Sequence, residues 1–187
     1  VGELIMSEIE VKILEIDIPK IIKILDGMGL ERVKDESQIN TIYDFPDLPL
    51  LSKKGYARIR EVCDRSTGIS KSFMTVKTMI SQEKFKEMDE SETEISDAEA
   101  GHGIFKSLGL IVRKILIKDR ISYKYKDTLI EIDNVPEPEY PFPLLEVETH
   151  NEKELEEVVN FLGYTMNDIT SKTMTEIVSE KEKSIGK

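Results

Sequence analysis

The stretch Ser7-Glu8-Ile9-Glu10-Val11-Lys12-Ile13-Leu14 alternates polar and apolar side chains residue by residue. Successive side chains of an extended strand point to opposite faces, so residues two apart share a face. The stretch therefore reads as a strand with Glu8, Glu10 and Lys12 on one side and Ile9, Val11 and Ile13 on the other. The same split recurs along the chain. Arg58 and Arg60 oppose Ala57 and Ile59, and Lys77 opposes Val76. Lys118 and Arg120 oppose Ile117 and Ile121, Glu131 and Asp133 oppose Ile130 and Ile132, and Glu146 and Glu148 oppose Leu145 and Val147. Glu90, Glu92 and Glu94 share one face of a further strand.

Strands are expected at 7–14, 33–43, 56–63, 71–79, 85–95, 113–124, 128–135 and 144–150. Asp17-Ile18-Pro19 looks like a helix start, with Ile21, Ile22, Leu25 and Met28 at helical spacing and Gly27 and Gly29 as the stop. Further helices are expected from Asp97 to Leu108, ended by Gly109, from Glu152 to Leu162, and over 168–182. The proline clusters at 46–49 and 136–143 read as loops within one domain, 1–187, with its core at about 7–178. No regular βαβ alternation is present, so the class is α+β with a large, mostly antiparallel sheet.

Two arrangements accommodate these faces. The ordinary one is an open sheet with its apolar side on a core and its charged side in water. However, the charged faces include both acids and arginines, where a solvated sheet usually has Thr, Ser and Lys, and a sheet of this size tends to curl or close. Closed with its charges inward, it would form an ionic tunnel with helices on its apolar exterior. A tunnel of this kind cannot be dry, because each unpaired buried ion costs several kcal/mol. It would hold water, metal and a highly charged ligand. Lys12, Arg58, Arg60, Lys77, Lys118 and Arg120 suit a polyanion, with arginine offering bidentate geometry to phosphate oxygens. The pairs Glu8/Glu10 and Glu146/Glu148 suit a hard divalent cation, Mg²⁺ or Mn²⁺.

Composition narrows the classes further. The 187 residues carry 26 Lys and Arg against 37 Asp and Glu, a formal charge of −11, so a nucleic-acid partner is not expected. Charged residues make up 34%, against about 25% in an average soluble domain. With one cysteine, Cys63, and only His102 and His150, there is neither a disulfide framework nor a His/Cys zinc set. No apolar run reaches membrane-spanning length, and the first residues lack the pattern of a signal peptide. A cytoplasmic protein is expected, with Met6 a candidate native start. Gly101-His102-Gly103 reads as local punctuation, and Leu155, Val158, Val159 and Leu162 as a packing stripe.

Glu8-Ile9-Glu10-Val11-Lys12 resembles the ExExK signature of the CYTH superfamily, the triphosphate tunnel metalloenzymes. Order and position strengthen the resemblance over about 7 to 178. Tyr56-Ala57-Arg58-Ile59-Arg60 is similar to the family's paired-arginine strand, and Thr75-Val76-Lys77 to its single-lysine strand. Glu92-Thr93-Glu94 resembles its acidic strand, and Lys118-Asp119-Arg120 with Tyr123 its K-x-R-x-x-Y segment. Ile130-Glu131-Ile132-Asp133 and Glu146-Val147-Glu148 resemble its closing strands.

The resemblance implies a closed eight-stranded antiparallel tunnel. It assigns Glu8, Glu10, Glu146 and Glu148 to one or two Mg²⁺ or Mn²⁺. Phosphates fall to Lys12, Arg58, Arg60, Lys77, Lys118 and Arg120, with Lys12 and Asp133 at the reaction centre. The implied substrate is a triphosphate: ATP, thiamine triphosphate or inorganic triphosphate. The segment 118–123 and the tail Ser171 to Val178 lean toward the class IV adenylyl cyclase branch, which makes cyclic AMP and pyrophosphate; a triphosphatase is the alternative, and a non-catalytic polyphosphate or nucleotide binder the third. Met174 and Met88 stand where that pattern has tyrosine and arginine, and the 136–143 loop lacks its Gly-Leu-Gly turn. Lys172 is a candidate for the tunnel mouth, and the resemblance extends to a homodimer. No adenine-reading element is visible in the sequence.

Overall fold

A computed structural model describes residues 8–82, 85–136 and 142–185. The strands are β1 (Glu8–Leu14), β2 (Glu31–Asp44), β3 (Tyr56–Asp64), β4 (Ser70–Ser81), β5 (Lys86–Ile95), β6 (Ile111–Tyr125), β7 (Thr128–Asn134) and β8 (Leu144–Thr149). They close into an antiparallel barrel in the order β1-β5-β4-β3-β2-β6-β7-β8. The seam is the β1–β8 pair, which sets Lys12 beside Glu146 and Glu10 beside Glu148. The open-sheet arrangement is thereby excluded. Every expected strand is present, and β2, β4 and β6 run longer than the sequence pattern indicates.

The apolar face lies outside, and helices cover it on two sides. One cluster joins Ile9, Val11 and Ile13 of β1, Ile130 and Ile132 of β7, and Leu145 and Val147 of β8 to two helices. These are α1 (Ile18–Gly27), through Ile21 and Leu25, and α4 (Glu152–Phe161), through Leu155, Val158 and Val159. Each such side chain contributes about 1.5–3 kcal/mol when fully buried. On the opposite flank α3 (Ala98–Ser107) sets Phe105 against Tyr43, Ala57 and Ile59. Among the described residues, the outward face of the β2–β6 pair has no such cover near Ile39, Ile115 and Ile117, all exposed.

The helix starts follow local chemistry. Asp17, Asp97 and Asn151 each cap a helix by accepting a hydrogen bond from a first-turn backbone N–H. At the end of α1, Gly29 at φ +69 passes its N–H to Asp26 O, while Leu30 N–H reaches Leu25 O, a Schellman closure that favours glycine.

Two expectations change. The 46–49 cluster has the composition of a loop, yet Pro49–Ser52 forms one helical turn, α2. The buried carboxylate of Asp44 holds it, accepting from the N–H groups of Phe45, Leu50 and Leu51. The last helix, expected from 168, starts later, as α5 (Met174–Ile185). Thr173 and Glu176 form a capping box: Glu176 Oε2 accepts from Thr173 N at 2.8 Å, and Thr173 Oγ1 accepts from Glu176 N at 3.3 Å. The preceding Thr170 pairs as a strand with Lys12 instead. Of the expected loop at 136–143, residues 137–141 lie outside the described residues, as does Met6.

Gly55, just before β3, has no room for a side chain, since a Cβ there would lie 2.3 Å from the Lys77 carbonyl oxygen. Backbone cannot yield as a side-chain tip can, so Gly55→Ala should cost about 1–3 kcal/mol. For a chain of this length that is a fall of about 2–12 °C in Tm. An unchanged Tm by differential scanning fluorimetry would contradict this close approach.

Candidate active site

Strand alternation and pairing put one face of every strand inside the barrel. Around the wall, Glu10 and Lys12 of β1 adjoin Glu146 and Glu148 of β8, Glu146 adjoins Glu131 of β7, and Asp133 of β7 adjoins Arg120 of β6. Across β2 the wall continues through Arg58 and Arg60 of β3, Thr75 and Lys77 of β4, and Glu92 and Glu90 of β5. The expected phosphate residues, with Glu10, Glu146 and Glu148 of the expected metal residues, therefore share one interior. Glu8 opens β1, but its side chain lies outside the described residues.

The interior has two ionic walls. On the first, Arg120 is the hub. Its Nε and Nη2 donate to the two oxygens of Asp133 at 2.6 and 2.7 Å, its Nη2 to Glu146 at 2.6 Å, and its Nη1 to Glu131. Lys118 Nζ reaches the same Asp133 at 2.6 Å. Lys12 lies between Glu10 and Glu146, 3.1 Å from the latter. On the second wall Arg60 donates to both oxygens of Glu92 at 2.9 Å, Arg58 to Glu92 at 3.3 Å, and Lys77 to Glu90 at 2.5 Å.

These pairings set the protonation states. Burial opposes the charge on Lys12, but the Glu10 and Glu146 carboxylates outweigh it and hold its pKa above the ordinary lysine range. Lys77 is raised in the same sense: burial again opposes, and Tyr56 and Glu90 prevail. Arg60 moves the other way, lowered by burial and by neighbouring Arg58. Neither lysine can serve as a proton acceptor near neutral pH, so both act as fixed cations.

Glu131, Glu146 and Glu148 each offer a carboxylate oxygen, and the three oxygens lie within 4.8 Å of one another. An all-oxygen, all-anionic donor set fits a hard divalent ion such as Mg²⁺ or Mn²⁺. Sequence spacing alone gives Glu131 no metal role, although its place two residues before Asp133, on the same face, is an available signal. Lys34, whose Nζ lies 3.7 Å from Glu131, gives no signal, because its strand is expected from 33 without a charged face. The Nε atoms of Arg58 and Arg60 are buried with no partner among the described residues. Such donors suit phosphate oxygens.

Two sequence features prove to be structural. Tyr123 of the 118–123 segment packs outside the barrel, fully buried, donating to Asp26 at 2.7 Å and accepting from Arg32. Lys172 turns to Glu180 at 2.7 Å and is half exposed. The tail instead works through Glu176, which accepts from Lys54 at 2.8 Å and Gln82 at 3.1 Å and so ties α5 to two turns of the barrel. Burial is the largest single influence and opposes its ionisation, but the hydrogen bonds from Lys54, Thr173 and Gln82 together outweigh it and hold its pKa at about 2. A depressed carboxylate pKa stabilises the folded state above the unfolded value and loses that contribution as pH falls through the folded one. Attachment of α5 should therefore weaken from about pH 4.5 down to about 2 and be weak at all pH values in Glu176→Ala. Amide exchange over 170–185 checks this, and protection equal to wild type at pH 7 would refute it.

An antiparallel barrel of eight strands, lined by charges and clad by helices, defines the class of triphosphate-tunnel folds. The chain belongs to the CYTH domain family, which it matches over residues 6–174. Among solved structures it is similar to the PH1012 protein of Pyrococcus horikoshii OT3 at 26% identity and TM-score 0.73, covering 90% of this chain and 98% of that one. A candidate adenylate cyclase from Vibrio parahaemolyticus shares the fold at 15% identity and TM-score 0.75, covering 92% and 98%. So does the candidate adenylyl cyclase HpAC1 from Hippeastrum, described as having a dominant triphosphatase activity, at 17% identity and TM-score 0.61, covering 82% and 84%. No protein with a curated description matches the chain. No helix among the described residues is long and apolar enough to cross a membrane.

Proposed function

We propose that this protein is a divalent-metal-dependent phosphoryl-transfer enzyme acting on a triphosphate held inside the barrel. One observation carries the reading: the acidic group Glu131, Glu146 and Glu148 shares an interior with buried arginines whose Nε donors have no partner among the described residues. A binder of polyphosphate would need only the cations. The acids suit a metal, and Arg58, Arg60, Lys77, Lys118, Arg120 and Lys12 suit the phosphates. Glu10, facing Lys12 and adjoining Glu148, remains in the proposed metal set with Glu8.

A bound Mg²⁺ or Mn²⁺ would neutralise charge developing on the phosphate oxygens. The chain's own part is positioning and fixed positive charge. Lys12, permanently protonated, would stabilise negative charge on the transferring group. Asp133 fixes Lys118 and Arg120 in place, which makes it a positioning residue.

What attacks phosphorus sets the product. A ribose 3′-hydroxyl attacking the α-phosphorus of ATP expels pyrophosphate and gives cyclic AMP, with the hydroxyl proton passing to solvent. Water attacking the terminal phosphorus instead releases orthophosphate. Cyclisation is the first reading. Hydrolysis is the second, because the segments that lean toward the cyclase branch, Tyr123 and the tail at Glu176, serve packing and capping here. Incubation with ATP, inorganic triphosphate and thiamine triphosphate, each with Mg²⁺ or Mn²⁺, and product analysis by phosphorus NMR, tests both. Metal-dependent loss of any of the three supports the enzyme. No turnover with either metal overturns it.

A further inference from the structure

The inward face of β2 departs from the ionic walls beside it. Gln38 and Asn40 are 1% and 2% exposed. Gln38 Nε2 donates to Glu36 Oε2 at 2.8 Å, and Asn40 Nδ2 faces the Leu116 carbonyl at 3.5 Å. Carboxylate and carbonyl oxygens only accept, so these neighbours fix which end of each amide is nitrogen. The remaining atoms, Gln38 Oε1 and Asn40 Oδ1, are buried acceptors with no partner among the described residues. Buried polar atoms are nearly always satisfied, so a pair of orphans on one face marks a place made for something else.

The neighbours say what kind of group. Asn40 adjoins Arg60 of β3 and Leu116 of β6, and Gln38 adjoins Val62 of β3 and Lys118 of β6. Arg60 in turn adjoins Phe73 of β4, with its guanidinium 5.3 Å from the ring centre. Apolar side chains thus enter the wall where the two amides sit. Arg60 and Lys118 in this band suit phosphate, but the two amide oxygens repel phosphate oxygens, so the amides serve a part of the ligand other than its phosphates. It suits a flat, partly apolar group that presents N–H or O–H donors.

We propose that Gln38 and Asn40 select the organic end of the substrate, a nucleoside, by accepting hydrogen bonds from its base amine or ribose hydroxyl. This rests on the tunnel being the triphosphate site. It makes the preferred substrate a nucleoside triphosphate rather than inorganic triphosphate. A site built to accept from a donor discriminates against analogues that lack it.

The test is calorimetric binding in EDTA, where metal-dependent turnover stops. The ligands are ATP, purine riboside triphosphate (no amine), 3′-deoxy-ATP and inorganic triphosphate. Wild-type chain should bind ATP about tenfold more tightly than inorganic triphosphate. One of the two analogues should lose that margin: purine riboside triphosphate if the base amine is the donor, 3′-deoxy-ATP if the ribose hydroxyl is. Combined Gln38→Met and Asn40→Leu should erase the margin while changing inorganic triphosphate affinity less than about twofold. Equal wild-type affinity for ATP and inorganic triphosphate overturns the proposal and leaves the tunnel reading standing. So does a margin that survives both analogues, or one that survives in the double variant with unchanged circular dichroism. If the double variant does not fold, the two analogues on wild-type chain decide alone. Failure of every ligand to bind overturns the tunnel reading, and this proposal with it.

Discussion

Arg120→Met should lower the melting temperature by about 6–20 °C. Arg120 is 6% exposed and is shared by Asp133, Glu131 and Glu146. Methionine fills similar volume but leaves three carboxylates facing one another, with Lys118 and Lys12 compensating only in part. Breaking a buried ion pair from one side costs about 3–5 kcal/mol, and a chain of this size loses about 2–4 °C per kcal/mol. Arg120→Lys should recover part of the loss, since it restores charge but not the forked geometry that reaches several acids at once. A Tm within about 2 °C of wild type in Arg120→Met, less than 1 kcal/mol for a chain of this size, would mean that water screens these acids and that the wall is not rigid.

Glu148→Gln should leave the fold intact and reduce metal-dependent turnover by about 100–1000-fold. The expected size follows from removing one group that stabilises transition-state charge. Gln keeps the shape and one oxygen but removes the anion that makes the Glu131, Glu146 and Glu148 group suited to a divalent ion. The metal concentration for half-maximal rate should rise at least tenfold, as it does even for groups one shell away from a metal. Turnover within threefold of wild type, with unchanged metal dependence, would remove Glu148 from the proposed metal set. The two variants should differ in stability: Arg120→Met should lower it through the stranded acids, whereas Glu148→Gln should lower turnover with the fold intact.

Much of the interior is legible in the order of residues. Glu10 and Lys12, Arg58 and Arg60, and Glu146 and Glu148 declare their common face by spacing alone. Strand pairing gives those faces their neighbours. Glu131 shows its charged face by spacing, but only the β7–β8 pairing sets it beside Glu146. Gln38 and Asn40 carry no charge and break no pattern, so nothing in the sequence distinguishes them from other polar strand residues. Their significance is that their amide oxygens lack partners among the described residues, which only the assembled barrel reveals. Tyr123 is the opposite case. Its spacing after Lys118 and Arg120 suggests a functional segment, yet an odd offset from both puts it on the outer face.

The sidedness of each strand is a local property, because the pleat assigns side chains to faces over two residues and needs no distant contact. Most helix limits are equally local, set by caps such as Asp17 and Asn151. Which side becomes the inside is not local at all. The same alternation fits an open sheet, and closure depends on β1 meeting β8 from the far end of the chain. Burying Ile9, Val11, Ile130 and Leu145 under α1 and α4 on the exterior turns the charged faces toward one another. Those ions are then largely withdrawn from solvent, so they pair across strands, as Arg120 does with Asp133 and Glu146. It is that pairing which makes a row of charges into a candidate site.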